Sequence, residues 1–415
     1  MRLLHSTTWK FEEFLDSFIP PYAILSHRWS SDEVSYQQLQ LAIKDNNIET
    51  SLIHGEGLYK IENCRKQAAR DGIHWIWVDT CCINKESSAE LSEAINSMFR
   101  WYQHAKICYI YLSDVDCGSF DAFKDDATTS NTHWKAILKD FRKSKWFTRG
   151  WTLQELLAPS KAVFYDKTWR LIARRGYLVE TISEITGIDL VSLSGGKQKL
   201  LSACVAKKMS WIAHRETSRQ EDIAYCMLGL LDVNMPLLYG EGSRAFMRLQ
   251  LEVISKKNDE SIFAWNLGKV PSFRHDRDPP RDDEGMLAPH PSCFAGSNRV
   301  EEAHALDRLP YAMTNQGLQF RIMTSPTDLA LSDTTSEFNL TLNCSVLQSQ
   351  PAVSYYMADE YQQEPIVITL QRVLGSSQRW RRRRCGFGEA KQPLRHGSGS
   401  DDQVLRVLYI LQPGL

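Results

Sequence analysis

Short apolar runs and amphipathic helical stretches alternate along the first 170 or so residues. Pro20–Pro21 stops any preceding helix, and Tyr22-Ala23-Ile24-Leu25-Ser26 then reads as a buried strand. Asp32 to Leu41 reads as a helix or turn. Leu58, Ile61, Cys64, Ala68 and Ala69 keep helical spacing up to a stop at Asp71-Gly72. His74 to Asp79 is the second strand. Leu91, Ala94, Ile95, Met98 and Tyr102 form one apolar helix stripe, capped by Ser87 or Ser88 with Glu90 in the first turn. Ile107–Leu112 is the third strand and Ala162–Tyr165 the fourth, with a polar loop expected over 116–132 and a helix from Trp134 to about Lys143. Strands apolar throughout and alternating with helices predict an α/β fold with a mainly parallel sheet covered on both faces.

The pattern changes twice further on. Residues 171–266 predict a helical extension, with Leu178, Ile182 and Ile185 on one face, helices over 200–212 and 221–231, and a last helix reaching about Ser255. Residues 267–292 are rich in Pro, Asp and Arg and predict a linker or long loop. GLQFRIMT, SEFNLTLNCSV, EPIVITLQRVL and QVLRVLYIL then alternate as strands, so 293–415 predicts a β-rich C-terminal domain. The basic run Arg379–Arg384 falls between two of these strands and reads as a solvated hairpin tip, with nuclear import or anion binding as the other reading. The expected division is therefore 1–170, 171–266, 267–292 and 293–415.

Composition narrows the classes. With 49 Lys+Arg against 50 Asp+Glu, the net charge of −1 gives no global reason to bind nucleic acid or an anionic membrane. The 10 cysteines show no framework spacing, which reads as free thiols in a reducing cytoplasm or nucleus. The N-terminus has no signal-peptide pattern, and no apolar run reaches the roughly 20 residues of a membrane span.

Loops at the carboxyl ends of parallel strands gather into one crevice. That places Ser26, His27, Arg28 and Trp29 after the first strand beside Asp79–Asn84 after the second, with Asp114 and the Arg149–Glu155 segment able to join them. No GxGxxG follows the first strand and no P-loop occurs in this region, which argues against a dinucleotide fingerprint or a Walker site. No His/Cys/carboxylate set has metal-ligand spacing. In SKWFTRGWTLQELLAP (144–159), Trp151 and Glu155 stand about one helical turn apart, so Glu155 is expected beside an indole. Burial there raises the carboxyl pKa and Arg149 lowers it. By itself the segment reads more readily as core tryptophans and a solvated helix acid.

YAILSHRW (22–29), GLYKIENCRKQAARDGIHWIWVDTCCINK (57–85), ELSEAINSMFRWYQHAKICYIYLSDV (90–115) and RGWTLQELLAP (149–159) together resemble the fungal heterokaryon-incompatibility (HET) domain. Residues 218–254 and 261–265 are similar to the segment that commonly follows it. The resemblance, which covers about residues 1–265, implies nonself recognition leading to programmed cell death, with an unidentified nonself partner protein. HET domains are distantly similar to TIR domains, which implies a flavodoxin/TIR-like sheet and assembly into homo-oligomers through this domain. TIR proteins that hydrolyse NAD carry Trp-x-x-x-Glu with a catalytic glutamate, and Trp151 and Glu155 match that spacing. The resemblance thus implies catalysis by Glu155 with NAD as substrate and no required cofactor or metal. Arg28 or Arg149 would then hold the pyrophosphate, and Trp29 would stack on a ring. Two alternatives stand beside this: a non-catalytic assembly module, and a Cys–His hydrolase built from Cys81 or Cys82 and His27.

Overall fold

The structure is a computed structural model that describes residues 1–45, 55–118, 132–194, 196–267, 285–303, 309–324, 337–348, 362–373, 379–387 and 404–412. Most of the expected polar loop over 116–132 and of the expected linker over 267–292 lies outside them. The chain divides into two compact units: Met1–Leu201 with Arg215–Leu238, and Ser202–His214 with Tyr239–Leu415.

The first unit is built on one seven-stranded sheet: β1 (Arg2–His5), β2 (Phe11–Glu13), β3 (Tyr22–His27), β4 (Trp75–Trp77), β5 (Ile107–Tyr111), β6 (Ala162–Tyr165) and β7 (Leu171–Arg174), in the order β2-β1-β4-β3-β5-β6-β7. The pairs β3–β4, β3–β5 and β5–β6 are parallel. The pairs β1–β2, β1–β4 and β6–β7 are antiparallel, so the sheet is mixed rather than mainly parallel. The edge strands are short and partly exposed, which hid them from a reading that looked for wholly apolar runs. All six residues of β3 are buried, as a central strand requires. The chain leaves β3 for β4 on one side and then returns to place β5 on the other. The order therefore reverses between β3 and β5, and in open α/β sheets a crevice opens at that point.

Helices α1 (Tyr36–Lys44), α2 (Glu56–Arg70), α3 (Ser88–His104), α4 (Thr132–Lys143) and α5 (Thr152–Leu157) join the strands. Ser35 and Gln38 form a capping box at the start of α1. Ser87 caps α3 by accepting from the Glu90 amide, and Arg2 of β1 donates to the Glu90 carboxylate at 2.7 Å. That ion pair fixes the N-terminal strand against α3. Trp77, Tyr102, Tyr109, Phe141, Trp146 and Phe164 are fully buried between sheet and helices. Beyond β7, Val179–Thr186 is helical, whereas the expected helix over 221–231 is two short pieces, Asp222–Tyr225 and Leu228–Leu231.

The second unit carries β8 (Val300–Glu302), β9 (Ala312–Thr314), β10 (Gly317–Thr324), β11 (Glu337–Gln348), β12 (Gln362–Arg372), β13 (Arg379–Phe387) and β14 (Val404–Ile410), in the order β8-β11-β12-β13-β14-β10-β9. Only β13–β14 is parallel among the described pairs. Arg379–Arg384 is not a hairpin tip, because it lies within β13. Trp380 and Arg382 face inward while Arg379 and Arg383 are exposed, the period-2 alternation of a strand. The buried Arg382 guanidinium donates to the carbonyls of Phe263 (2.9 Å) and Trp265 (2.8 Å) and lies 3.6 Å over the Trp265 indole. These contacts offset the cost of burying its charge.

Candidate functional site

Ser26 stands near the carboxyl end of β3, and Glu155 sits on the short helix α5 that leads toward β6. The Ser26 hydroxyl donates to Glu155 Oε2 at 2.5 Å and accepts from the Trp146 indole Nε1 at 3.0 Å. Both polar residues and the indole are buried, with Glu155 only 5 % exposed. The indole that reaches this pair is thus Trp146, set in the 3₁₀ turn Lys145–Thr148, while Trp151 is the half-buried residue that opens α5. Asp114, at the end of β5, pins that turn by accepting from the Ser144 hydroxyl and the Lys145 amide, each at 2.7 Å.

Burial raises the Glu155 carboxyl, and the neighbouring Asp79 raises it further. The Ser26 hydrogen bond and the charges of Arg215 and Arg149 pull the other way without overcoming burial. The carboxyl is pushed up to about 8. Burial thus favours the neutral carboxylic acid, and positive charge placed beside it favours the ionised form.

A second cluster adjoins the first in sequence. The buried His27 ring has Nε2 3.5 Å from Glu33 Oε2 and Nδ1 3.9 Å from Asp79 Oδ1. Glu33 is ion-paired with the wholly buried Lys60. Burial favours the neutral Glu33 acid, but His27 and Lys60 together outweigh it and bring the carboxyl down to about 2. Asp79 accepts from the Trp29 indole at 2.7 Å, and Lys85 Nζ lies 3.7 Å over the ring of Trp29, which is 52 % exposed. Asp79 owes its place to a tight turn closed by the Cys82 amide on the Val78 carbonyl at 2.8 Å.

Of the expected crevice residues, the structure brings Ser26 to Glu155, and His27 and Trp29 to Asp79. Arg28 is exposed. Arg149 is half-buried and donates to the Ser218 hydroxyl at 2.9 Å. Cys81 is wholly buried and its thiol is pushed well above the ordinary range, chiefly by burial. Cys82 is buried with Sγ accepting from the Val78 amide at 3.4 Å. The Cys81 environment does not favour the thiolate that a Cys–His mechanism requires. Sequence reasoning missed Glu33, Lys60, Lys85 and Arg215. Lys85 lies in the same matching segment as Asp79, a signal that was present. Lys60 lies in that segment too, whereas Glu33 and Arg215 are charged residues outside the matching segments. Among the described residues no group of three or more His, Cys, Asp or Glu side chains is placed to hold a metal, and all ten cysteines are free. No helix among them is long and apolar enough to cross a membrane.

A mixed α/β sheet with a buried Ser–Glu pair near its central reversal is the setting in which the comparisons take on meaning. Residues 22–155, which run from the start of β3 to Glu155 itself, match the family model of the heterokaryon incompatibility protein (HET). It is 44 % identical over 282 residues to vegetative incompatibility protein HET-E-1 of Podospora anserina, a match covering 68 % of this chain and 19 % of that protein. The chain thus spans about one fifth of the length of that relative. No solved structure matches the chain.

Proposed function

We propose that this protein acts in fungal vegetative incompatibility, the process named by its relative, by cleaving NAD to nicotinamide and ADP-ribose at Glu155. The observation that carries the reading is the buried Glu155 carboxyl, hydrogen-bonded to Ser26 and held near neutrality by its surroundings. The parallel strands β4-β3-β5-β6 follow the 2-1-3-4 order of flavodoxin-like sheets, which supports a TIR-like reading of the domain. Trp151 and Glu155 keep the spacing that resemblance implies.

The chemistry suits one carboxylate. The nicotinamide–ribose C–N bond breaks with its electron pair leaving on the ring, which is already a cationic pyridinium and needs no general acid, unlike an ordinary glycoside. Water adds to the sugar carbon and releases a proton. Arrival of the cationic ring favours loss of the Glu155 proton to bulk water, and the resulting carboxylate stabilises positive charge developing on the sugar. Trp29 offers an exposed ring for stacking. Arg149 and Arg28 supply positive charge for the pyrophosphate, and Lys85, which lies over Trp29, adds a further cation.

A second reading is an assembly module without catalysis, in which the chain joins copies of itself or a nonself partner protein. It is favoured by the same 5 % exposure of Glu155, which leaves a substrate little access in the resting protein. Nicotinamide release by the concentrated full chain, beside Glu155→Gln, separates the two. Release by the parent and its loss in the variant support cleavage. No release from either, including in forced oligomers, supports assembly.

A further inference from the structure

We propose that Arg215 is a positioning residue for the Ser26–Glu155 pair, and that the segment Arg215–Ser218, beyond the matched stretch 22–155, completes the site. This rests on the cleavage reading for its enzymatic arm and on geometry alone for its structural arm.

The segment grips the turn between Trp146 and α5 through main chain and side chain. The Glu216 amide donates to the Thr148 carbonyl at 2.7 Å, and the Gly150 amide donates to the Glu216 carbonyl at 2.8 Å. This is a parallel bridge between Arg149 and Glu216. The approach is close enough that a Cβ on Gly150 would stand 2.5 Å from Thr217 Cγ2. The buried Arg215 guanidinium then donates to the Arg149 carbonyl at 2.8 Å and to the Thr152 hydroxyl at 3.0 Å. Thr152 Oγ1 lies 2.7 Å from the Trp146 carbonyl, to which its hydroxyl donates. The Trp146 indole donates to Ser26, and Ser26 donates to Glu155. Two hydrogen-bonded links, one to the Trp146 carbonyl and one from its indole, thus connect Arg215 to the carboxyl through the Trp146 residue itself. Both bonds come from the one nitrogen Nη1, at a reach that the shorter lysine side chain does not match.

Its charge is felt at the same place. Burial lowers the Arg215 guanidinium to about 10, which leaves it cationic at neutral pH, and its field favours the ionised Glu155. The other groups facing Glu155 are Asp79 and Arg149, with the buried and neutral Tyr102, Cys108 and Cys226. Arg215 therefore holds Glu155 in place and limits how far burial raises its pKa.

The test uses the full chain with Arg215→Met and Arg215→Lys, each also made in the Glu155→Gln background. The difference in stability against pH between each protein and its Glu155→Gln counterpart reads the titration of this one carboxyl. Arg215→Met is expected to move the midpoint upward by about one unit, and Arg215→Lys to restore most of that shift because the charge returns. If the protein cleaves NAD, Arg215→Lys is expected to lower kcat at least tenfold with little change in KM, because substrate contacts remain while the carboxyl is displaced. A midpoint in Arg215→Met that is unmoved or lowered overturns the proposal, whether or not NAD is cleaved. Should Arg215→Met not fold, Arg215→Lys decides it: wild-type kcat in an active protein, or a wild-type chemical shift for the Trp146 indole proton in an inactive one, overturns the positioning role. Absence of nicotinamide release from the parent chain bears only on the cleavage reading, since the titration and the indole signal are read without substrate.

Discussion

Ser26 and Glu155, separated by 129 positions in the chain, meet at 2.5 Å through a buried hydrogen bond. One stands near the carboxyl end of the central strand of the sheet and the other lies within a short helix two crossovers later. The Lys145–Thr148 turn brings the Trp146 indole to the same hydroxyl.

Glu155→Gln is expected to keep the fold and abolish nicotinamide release. It also changes the pH profile of stability. The folded carboxyl titrates near 8 against an ordinary 4.5, so the folded state binds more protons across that window. Its contribution is fully present below 4.5 and is lost as pH rises through about 8, at no more than about 1.4 kcal/mol per pH unit. Urea denaturation at several pH values should show this fall in the parent and its absence in the variant.

Ser26→Ala removes the hydroxyl between two buried groups and leaves the Trp146 Nε1–H and the Glu155 carboxyl without it. The expected cost is about 1–3 kcal/mol, read by chemical denaturation. The Ser26 hydrogen bond lowers the Glu155 pKa, so its loss should also move the stability transition to higher pH. A transition at unchanged pH would contradict the assigned contact.

Lys60→Met breaks a buried ion pair and leaves the Glu33 carboxylate without its ion-pair partner. Removing one partner of such a pair costs about 3–5 kcal/mol, whereas replacing both is far milder, so Lys60→Met with Glu33→Leu should recover much of the loss. Glu33 is depressed to about 2. Its contribution is therefore present above the ordinary carboxyl value and is lost as pH falls through about 2. Acid denaturation of Lys60→Met should begin at a higher pH than in the parent.

Arg382→Leu withdraws the donors to the Phe263 and Trp265 carbonyls and the cation over the Trp265 ring. A loss of about 3 kcal/mol or more is expected in the stability of the second unit, from two buried carbonyls left without a donor. Arg383→Leu, at an exposed position of the same strand, should change stability by less than about 0.5 kcal/mol. Equal effects of the two would contradict the inward placement of Arg382.

The sequence by itself determined the elements whose burial is uniform. Tyr22–Ser26, Ile107–Leu112 and Ala162–Tyr165 are apolar on both faces because their strands are covered on both sides, and the stripe through Leu91, Ala94, Ile95 and Met98 has one buried face. It also pointed to Glu155 and to Ser26, because strand ends and a tryptophan-bracketed helix start leave local marks. Tertiary structure decided the rest. Arg2–His5 and Phe11–Glu13 are strands because an edge was there to pair with, not because their residues are apolar. Trp146 rather than Trp151 serves the carboxyl because a 3₁₀ turn precedes α5. Arg382 is core because a strand places alternate side chains inward whatever their charge. Lys60 and Arg215 are buried because a partner of opposite charge, here the half-buried Glu33, or a carbonyl acceptor lies waiting, and such partners come from distant stretches of chain. Burial of apolar surface is periodic and leaves its period in the sequence, whereas the satisfaction of a buried charge depends on one geometry in three dimensions.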